Sequence, residues 1–300
     1  MPAAAAPRFL DPALLARLAT IELRARAVAQ GFMAGMHGGA AYGHAIEFAE
    51  YRPYQPGDNP RGIDWKACAR RDRLYVRQCE DETNQEAWLI LDASASMGFG
   101  SHALTKWQYG AILAAALGCL LHARRDGVGL IVIDEGVRLE MPSRATRSHL
   151  VRLIGELEKI APAGKTRLAE GLHQAAARIR RRSLVILISD LLDEPDEILS
   201  GLRHLRFGGN RVLVFQPLDP AELDFPYDEA ALFVDPEDGR IVPARGDGVR
   251  EDYLKALRAF NAQLAAKLGQ AGIGHTLMNT GEPLDHALLA FFNRQKRFGV

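Results

Sequence analysis

Apolar runs the length of one strand recur through most of this chain, and each is separated from the next by a segment long and periodic enough to be a helix. Ala87 to Leu91, Val128 to Asp134, Ser183 to Asp190, Arg211 to Gln216 and Gly274 to Met278 read as strands. Except in Gly274 to Met278, their central residues are apolar without alternation, which is the pattern of strands covered on both faces. Helical patterns fall between and after them, near 104–124, 146–160, 168–182, 195–206, 249–270 and 284–297. Strands separated by helices imply an α/β fold with a doubly wound, mostly parallel sheet of Rossmann-type three-layer construction. Two places depart from the rhythm. Gly136 turns the chain into Val137 to Met141, read as an antiparallel edge strand, and residues 219–248 are rich in Pro, Asp and Gly. Within that stretch Ala231 to Val234 and Arg240 to Val242 are short β pieces, so an inserted hairpin is expected. The alternating domain spans residues 85–300.

Residues 1–84 stand outside this alternation and form the expected N-terminal extension. Leu14, Leu15, Leu18, Ile21 and Val28 fit one apolar helix face, ended by the Gly-rich stretch Gly31 to Gly43. The segment Pro56-Gly57-Asp58-Asn59-Pro60 is turn chemistry, and Leu74 to Gln78 reads as a short strand. A β-rich flap whose Arg and Asp side chains hold its turns is the plain reading of this region.

The 37 basic residues match the 37 acidic ones, so no net field draws the chain to nucleic acid or an anionic membrane. Arginines gather at Arg61, Arg70, Arg71, Arg73 and Arg77, and at Arg178, Arg180, Arg181 and Arg182, without the aromatic interleaving that base stacking needs. Three cysteines, Cys68, Cys79 and Cys119, with no C-x-x-C, fit reduced packing residues. Neither a signal peptide nor a membrane span is legible, because the longest apolar stretch, Ala111 to Leu121, is too short to cross a bilayer. A cytoplasmic address is the expectation.

Chemistry concentrates at the end of the first of these runs. Asp92-Ala93-Ser94-Ala95-Ser96 puts a carboxylate and two hydroxyls on one short turn at a strand end, where an open α/β sheet holds its ligands. Oxygen donors of this kind suit a small hard cation such as Mg2+, with Mn2+ or Ca2+ as substitutes. Alone, the string equally fits a strand-to-helix turn with Ser96 as N-cap. Two further loops extend it: Thr166, in Gly164-Lys165-Thr166-Arg167-Leu168, opens a helical pattern, and Asp190 ends an apolar strand as Asp92 does.

The set Asp92, Ser94, Ser96, Thr166 and Asp190 resembles the metal-ion-dependent adhesion site of von Willebrand factor A domains. That resemblance implies direct ligation by Ser94 and Ser96, ligation by Thr166 directly or through water, and contact from Asp92 and Asp190 mostly through water. Three neutral hydroxyls quench little of a divalent charge, so an ion held this way keeps an electrophilic open position for a Glu or Asp of another protein. A second resemblance covers nearly the whole chain. The run from Glu47 to Arg70, E-F-x-E-Y-R-P-Y-x-x-G-D-x-x-R-x-I-D-W-x-x-x-A-R, precedes the D-x-S-x-S strand as in the bacterial family named domain of unknown function 58. Leu218 to Pro226 and Glu282-Pro283-Leu284-Asp285 fit it too. The resemblance implies partnership with MoxR-type AAA+ ATPases in chaperone-like maturation of protein complexes. Longer relatives carry N-terminal membrane helices, which this chain lacks.

These readings lead to a non-enzymatic, metal-dependent adaptor. Its partner is a MoxR-type ATPase or a client that supplies an acidic side chain to the metal. The alternative is a Mg-dependent phosphatase of haloacid-dehalogenase type using Asp92, with Thr166, Lys165 and the Asp190/Asp193 pair around it. Ser94 occupies the position where that chemistry needs a second Asp as general acid. No G-x-x-x-x-G-K-[ST], H-E-x-x-H or G-x-S-x-G string is present, which removes P-loop, zincin and nucleophile-elbow chemistries.

Overall fold

A computed structural model describes residues 11–38, 50–53, 75–78, 85–165, 167–180, 182–285, 287–289 and 291. Thr166, Arg181, Cys68, Cys79, Trp65, most of the Glu47–Arg70 run and the last residues of the expected final helix lie outside them. By internal contact the chain divides into two compact units, residues 1–32 with 85–300, and residues 33–84. The helical start thus groups with the sheet, whereas the sequence assigned it to an extension of residues 1–84.

That start is two helices, where one was expected. Asp11 caps α1 (Pro12–Leu15) by accepting the Ala13 N–H at 2.8 Å, with Pro12 preset for the first position. The chain then turns, and α2 (Ile21–Gly38) begins where Thr20 Oγ1 accepts the Leu23 N–H at 3.2 Å. The second cap divides the stripe: Leu15, Ile21 and Val28 are buried, while Leu14 is 39 % exposed. Helix α2 also runs through Gly31, where the Gly-rich stretch was expected to end it. The Ile21 N–H donates to Glu158 at 2.6 Å, tying this segment to the helix 147–159. In the smaller unit, β1 (Glu50–Pro53) pairs antiparallel with β2 (Tyr75–Gln78), Glu50 opposite Gln78.

The large unit follows the alternation. In chain order it contains β3 (Glu86–Asp92), α3 (Lys106–Ala123), β4 (Gly127–Ile133), β5 (Val137–Arg144), α4 (Arg147–Lys159), α5 (Leu168–Arg178), β6 (Leu184–Ile188), α6 (Pro195–Phe207) and β7 (Arg211–Leu218). After these come α7 (Pro220–Asp224), β8 (Ala230–Val234), β9 (Ile241–Arg245), α8 (Gly246–Gln270) and β10 (Gly274–Asn279). Six strands form one sheet in the order β10-β7-β6-β3-β4-β5, parallel except for the β4–β5 pair, whose register shifts twice. Beyond β10, Asp285, Ala287 to Leu289 and Phe291 are helical.

Both faces are covered because alternate residues of the apolar strands need partners on opposite sides. Trp88 and Ile90 of β3 join the cluster built with Leu172 of α5, Leu202 of α6 and Leu264 of α8. Leu89 faces α3, where a Cβ on Gly118 would meet its Cδ1 at 3.7 Å. Helix α3 is buried nearly all round and is started by a capping box: Thr105 Oγ1 accepts the Gln108 N–H at 3.1 Å, and Gln108 returns the bond to the Thr105 N–H. It lies so close to β6 that a Cβ on Gly110 would approach Ile188 to 2.9 Å.

The insertion holds the expected hairpin, β8 against β9 with Ala230 opposite Arg245. It also holds α7, which the sequence reading did not foresee. Phe225 ends α7 in a left-handed turn, φ 47°, and its ring packs on Phe233 and Tyr253 with centroids 5.5 and 4.6 Å away.

The strand order sets the location of the site. From β3 the chain moves to β4 and β5 on one side, then returns to β6 on the other, so the carboxyl ends of β3 and β6 flank the topological switch point. Open α/β sheets bind ligands at that point.

Candidate functional site

Asp92 is the last residue of β3, and the chain leaves it in a turn with a single 3-10 stretch, Ala95–Gly98. Asp92, Ser94, Ser96 and Asp190 are all buried. The Asp92 carboxylate accepts the Ser94 N–H at 2.9 Å through Oδ1 and the Ser189 hydroxyl at 2.6 Å through Oδ2. Ser94 and Ser96 bring their hydroxyls to 3.1 Å from each other. Ser96 is not an N-cap: it lies within the 3-10 turn, and α3 starts ten residues later on Thr105.

The loop carrying Thr166 lies against the same turn. Ala95 donates its N–H to the Gly164 carbonyl at 3.1 Å and Ala163 donates to the Ala93 carbonyl at 2.9 Å. Gly164 has φ +84°, a conformation that L side chains rarely adopt. Thr166 itself is outside the described residues, and Lys165 is exposed.

On the β6 side, Ser189, Asp190 and Leu191 form a tight turn. Leu191 is buried with φ 58°, and its N–H donates to Ser189 Oγ at 3.0 Å. A non-glycine residue in this region costs about 1–2 kcal/mol. It is held here by the buried side chain and by the Asp190 carbonyl, which accepts from Gln216 Nε2 at 3.0 Å. The turn brings Asp190 close enough to Asp92 for their charges to interact. Burial, then the Asp190 charge, pushes the Asp92 carboxyl up to about 6, against the lowering effect of its hydrogen bonds from Ser189 and Ser94.

The sequence reading missed three residues here. Lys106, the first residue of α3, is buried and donates to Asp190 Oδ2 and Glu222 Oε1, each at 2.7 Å. Burial alone would push its ammonium down, but the two carboxylates outweigh burial and hold it above its ordinary value. Glu222 is the N3 residue of the α7 capping box: Oε2 accepts the Asp219 N–H at 2.8 Å and Oε1 faces Lys106. Ser189 is the third. Each had a local signal: the D-P-A-E string for Glu222, a lone Lys opening an apolar helix for Lys106, and a hydroxyl directly before the strand-end acid for Ser189.

The donors that converge are all oxygen: Asp92, the paired hydroxyls of Ser94 and Ser96, and the nearby Asp190. Among the described residues, no cation lowers the Asp92 carboxyl, and no group of three His, Cys, Asp or Glu side chains could hold a metal. Carboxylate and hydroxyl oxygens are the donor type that hard cations accept. A different constellation sits nearby. Ser101 Oγ is 2.7 Å from His102 Nδ1 and bonds Asp219, so the carboxylate touches the serine and not the imidazole, the reverse of the order a proton relay requires.

The family described as "Protein of unknown function DUF58" matches residues 50–263. Uncharacterized proteins of Mycobacterium bovis and Mycobacterium tuberculosis are each 31 % identical over 267 residues, covering 87 % of this chain and 83 % of theirs. Among solved structures, the conserved hypothetical protein BatB from Bacteroides thetaiotaomicron superposes with a TM-score of 0.50 at 16 % identity, over 70 % of this chain and 98 % of its own. An aerotolerance-related membrane protein from Bacteroides fragilis matches at TM-score 0.48 and 17 % identity, over 70 % and 99 %. The VWA domain of SpRpn10 matches at TM-score 0.40 and 9 % identity, over 68 % and 93 %. The α/β, doubly wound, von Willebrand factor A-like fold expected from the sequence is the fold found. The cytoplasmic address is corrected: a matching chain is described as a membrane protein, so composition does not assign this chain to the cytoplasm. Among the described residues no helix is long and apolar enough to cross a membrane.

Proposed function

Since this chain belongs to the family of unknown function DUF58, we propose its role from its own site: a non-enzymatic, metal-dependent protein-docking module. Asp92, Ser94 and Ser96 hold a divalent cation, Mg2+ by preference, with Thr166 and Asp190 completing the set. The observation that carries this reading is the buried Asp92 carboxylate, lifted to about 6 beside a second acid while two hydroxyls 3.1 Å apart converge next to it. A bound divalent ion supplies an electrophilic position that a carboxylate from outside can fill. Ser94 and Ser96 contribute donors without charge, so that position is not quenched. Ser189 and the Ser94 N–H fix the direction of the Asp92 carboxylate.

The partner that fits is a protein presenting an exposed Glu or Asp, with a MoxR-type AAA+ ATPase or its client as the specific expectation. The phosphatase alternative finds less support. Its general-acid position is Ser94, its Lys165 is exposed, and Asp193 is engaged with the Glu194 N–H at 2.8 Å.

The test is Mn2+ or Mg2+ titration of the chain, followed by capture of a MoxR-type ATPase with and without Mg2+. Asp92→Ala and Ser94→Ala should each abolish ion binding and ion-dependent capture while the circular dichroism spectrum stays that of the parent. Capture that survives both substitutions rules the docking mechanism out.

A further inference from the structure

Lys106 occupies a costly place. A lysine at the first position of a helix opposes the positive end of the helix dipole, and a buried ammonium loses its hydration. Two acids from separate elements compensate it: buried Asp190 from the β6 turn and half-buried Glu222 from the α7 cap, both at 2.7 Å. The Phe99 ring lies below, its centroid 6.0 Å from Nζ. This arrangement is fastened from three sides. Thr105 and Gln108 fix the helix start, the Asp219 N–H fixes Glu222, and Gln216 holds the Asp190 carbonyl. Lys106 is therefore built into the site as a structural cation.

We infer that Lys106 sets the divalent affinity of the docking site, acting as a resident counter-charge that Asp190 shares with Glu222 and that Asp92 lacks. The inference rests on the docking reading and concerns how strongly that site holds its ion. Its consequence is a site that keeps its fold without metal and binds metal weakly on its own. A second negative charge, brought by the acidic partner, then completes it, so ion and partner reinforce each other's binding.

Removing the ammonium should expose Asp190 to the ion and remove a nearby repulsion. Mn2+ binding to the full chain, followed by electron paramagnetic resonance and calorimetry, should tighten in Lys106→Met by on the order of 10-fold or more. The melting temperature of that variant in EDTA should fall below the parent's, and Mn2+ should raise it by more than it raises the parent's. Where Lys106→Met does not fold, the double variant Lys106→Met with Glu222→Leu removes one acid together with the cation and carries the same expectation of tighter Mn2+. Mn2+ binding through Asp92 in the parent, with affinity unchanged or weaker in the folded variant, overturns this inference and leaves the docking reading standing. If neither the parent nor the variants bind Mn2+, the docking reading falls, and this inference with it.

Discussion

Asp92 shows how a single buried acid can weaken its own fold. Its carboxyl, pushed up to about 6 by burial and by Asp190, keeps its proton in the folded chain at pH values where the unfolded chain, near 3.8, has released it. The folded state therefore binds more protons between those values, and stability falls as pH rises from about 4 to about 6. Asparagine cannot ionise, and the Ser189 hydroxyl can turn to accept from its amide. In EDTA, Asp92→Asn should be more stable than the parent at pH 7.5, with the difference closing near pH 4, as read from urea denaturation. A difference between parent and variant that is the same at pH 4 and pH 7.5 contradicts the assignment. At this scale the sequence was legible where a signal lay within one segment, as with the D-x-S-x-S spacing of Asp92, Ser94 and Ser96 and the strand-end position of Asp190. It was silent on Lys106 and Glu222, because their meaning comes from three segments meeting, with the bonded partners 84 and 116 positions apart in the chain.

At the level of elements, helix-to-sheet distance is set by a few glycines, and they are not equivalent. In α5, a Cβ on Gly171 would come within 2.3 Å of Ile133 Cγ2 on β4. In α4, a Cβ on Gly155 would meet nothing within 4 Å. Gly171→Ala should thus destabilise by roughly 1–3 kcal/mol through overpacking, while Gly155→Ala should stabilise by roughly 0.5–1 kcal/mol through helix propensity. Thermal unfolding of the two variants checks the opposite signs. The strands and most helices were readable because unbroken apolar runs and 3.6-residue stripes are local properties. Boundaries were less so. The expected helix 168–182 stops at Arg178, and α7 escaped because five residues are too few to show a period.

For the molecule as a whole, the acid side of the stability curve has a second and opposite contributor. His149, buried on α4, places Nε2 3.0 Å from the Val128 carbonyl of β4. Burial pushes its imidazole below the ordinary value, and Arg152 and Arg144 add to the lowering. A depressed base gives stability that is present above pH 6.5 and is lost as pH falls through that region, because the unfolded chain takes up the proton first. His149→Gln, which keeps a donor but does not titrate, should flatten the loss of stability between pH 7 and 5.5, measured by urea midpoints at both values. An unchanged slope would assign the loss to other groups. The overall architecture was recoverable from sequence because a doubly wound sheet is written in the order of its segments. The address in the cell is not written in composition, and the reading that tried to take it from there was overturned.

The antiparallel edge strand of the six-stranded sheet carries a consequence of its own. β5 borders the sheet with two register shifts against β4, a proline at Pro142 and charged side chains at Arg138, Glu140 and Arg144. Irregularity, a missing donor and alternating charge each discourage a neighbouring chain from zipping on. Fibre-like stacking of copies is disfavoured along that margin, and contacts through side chains are favoured there over continuation of the backbone ladder.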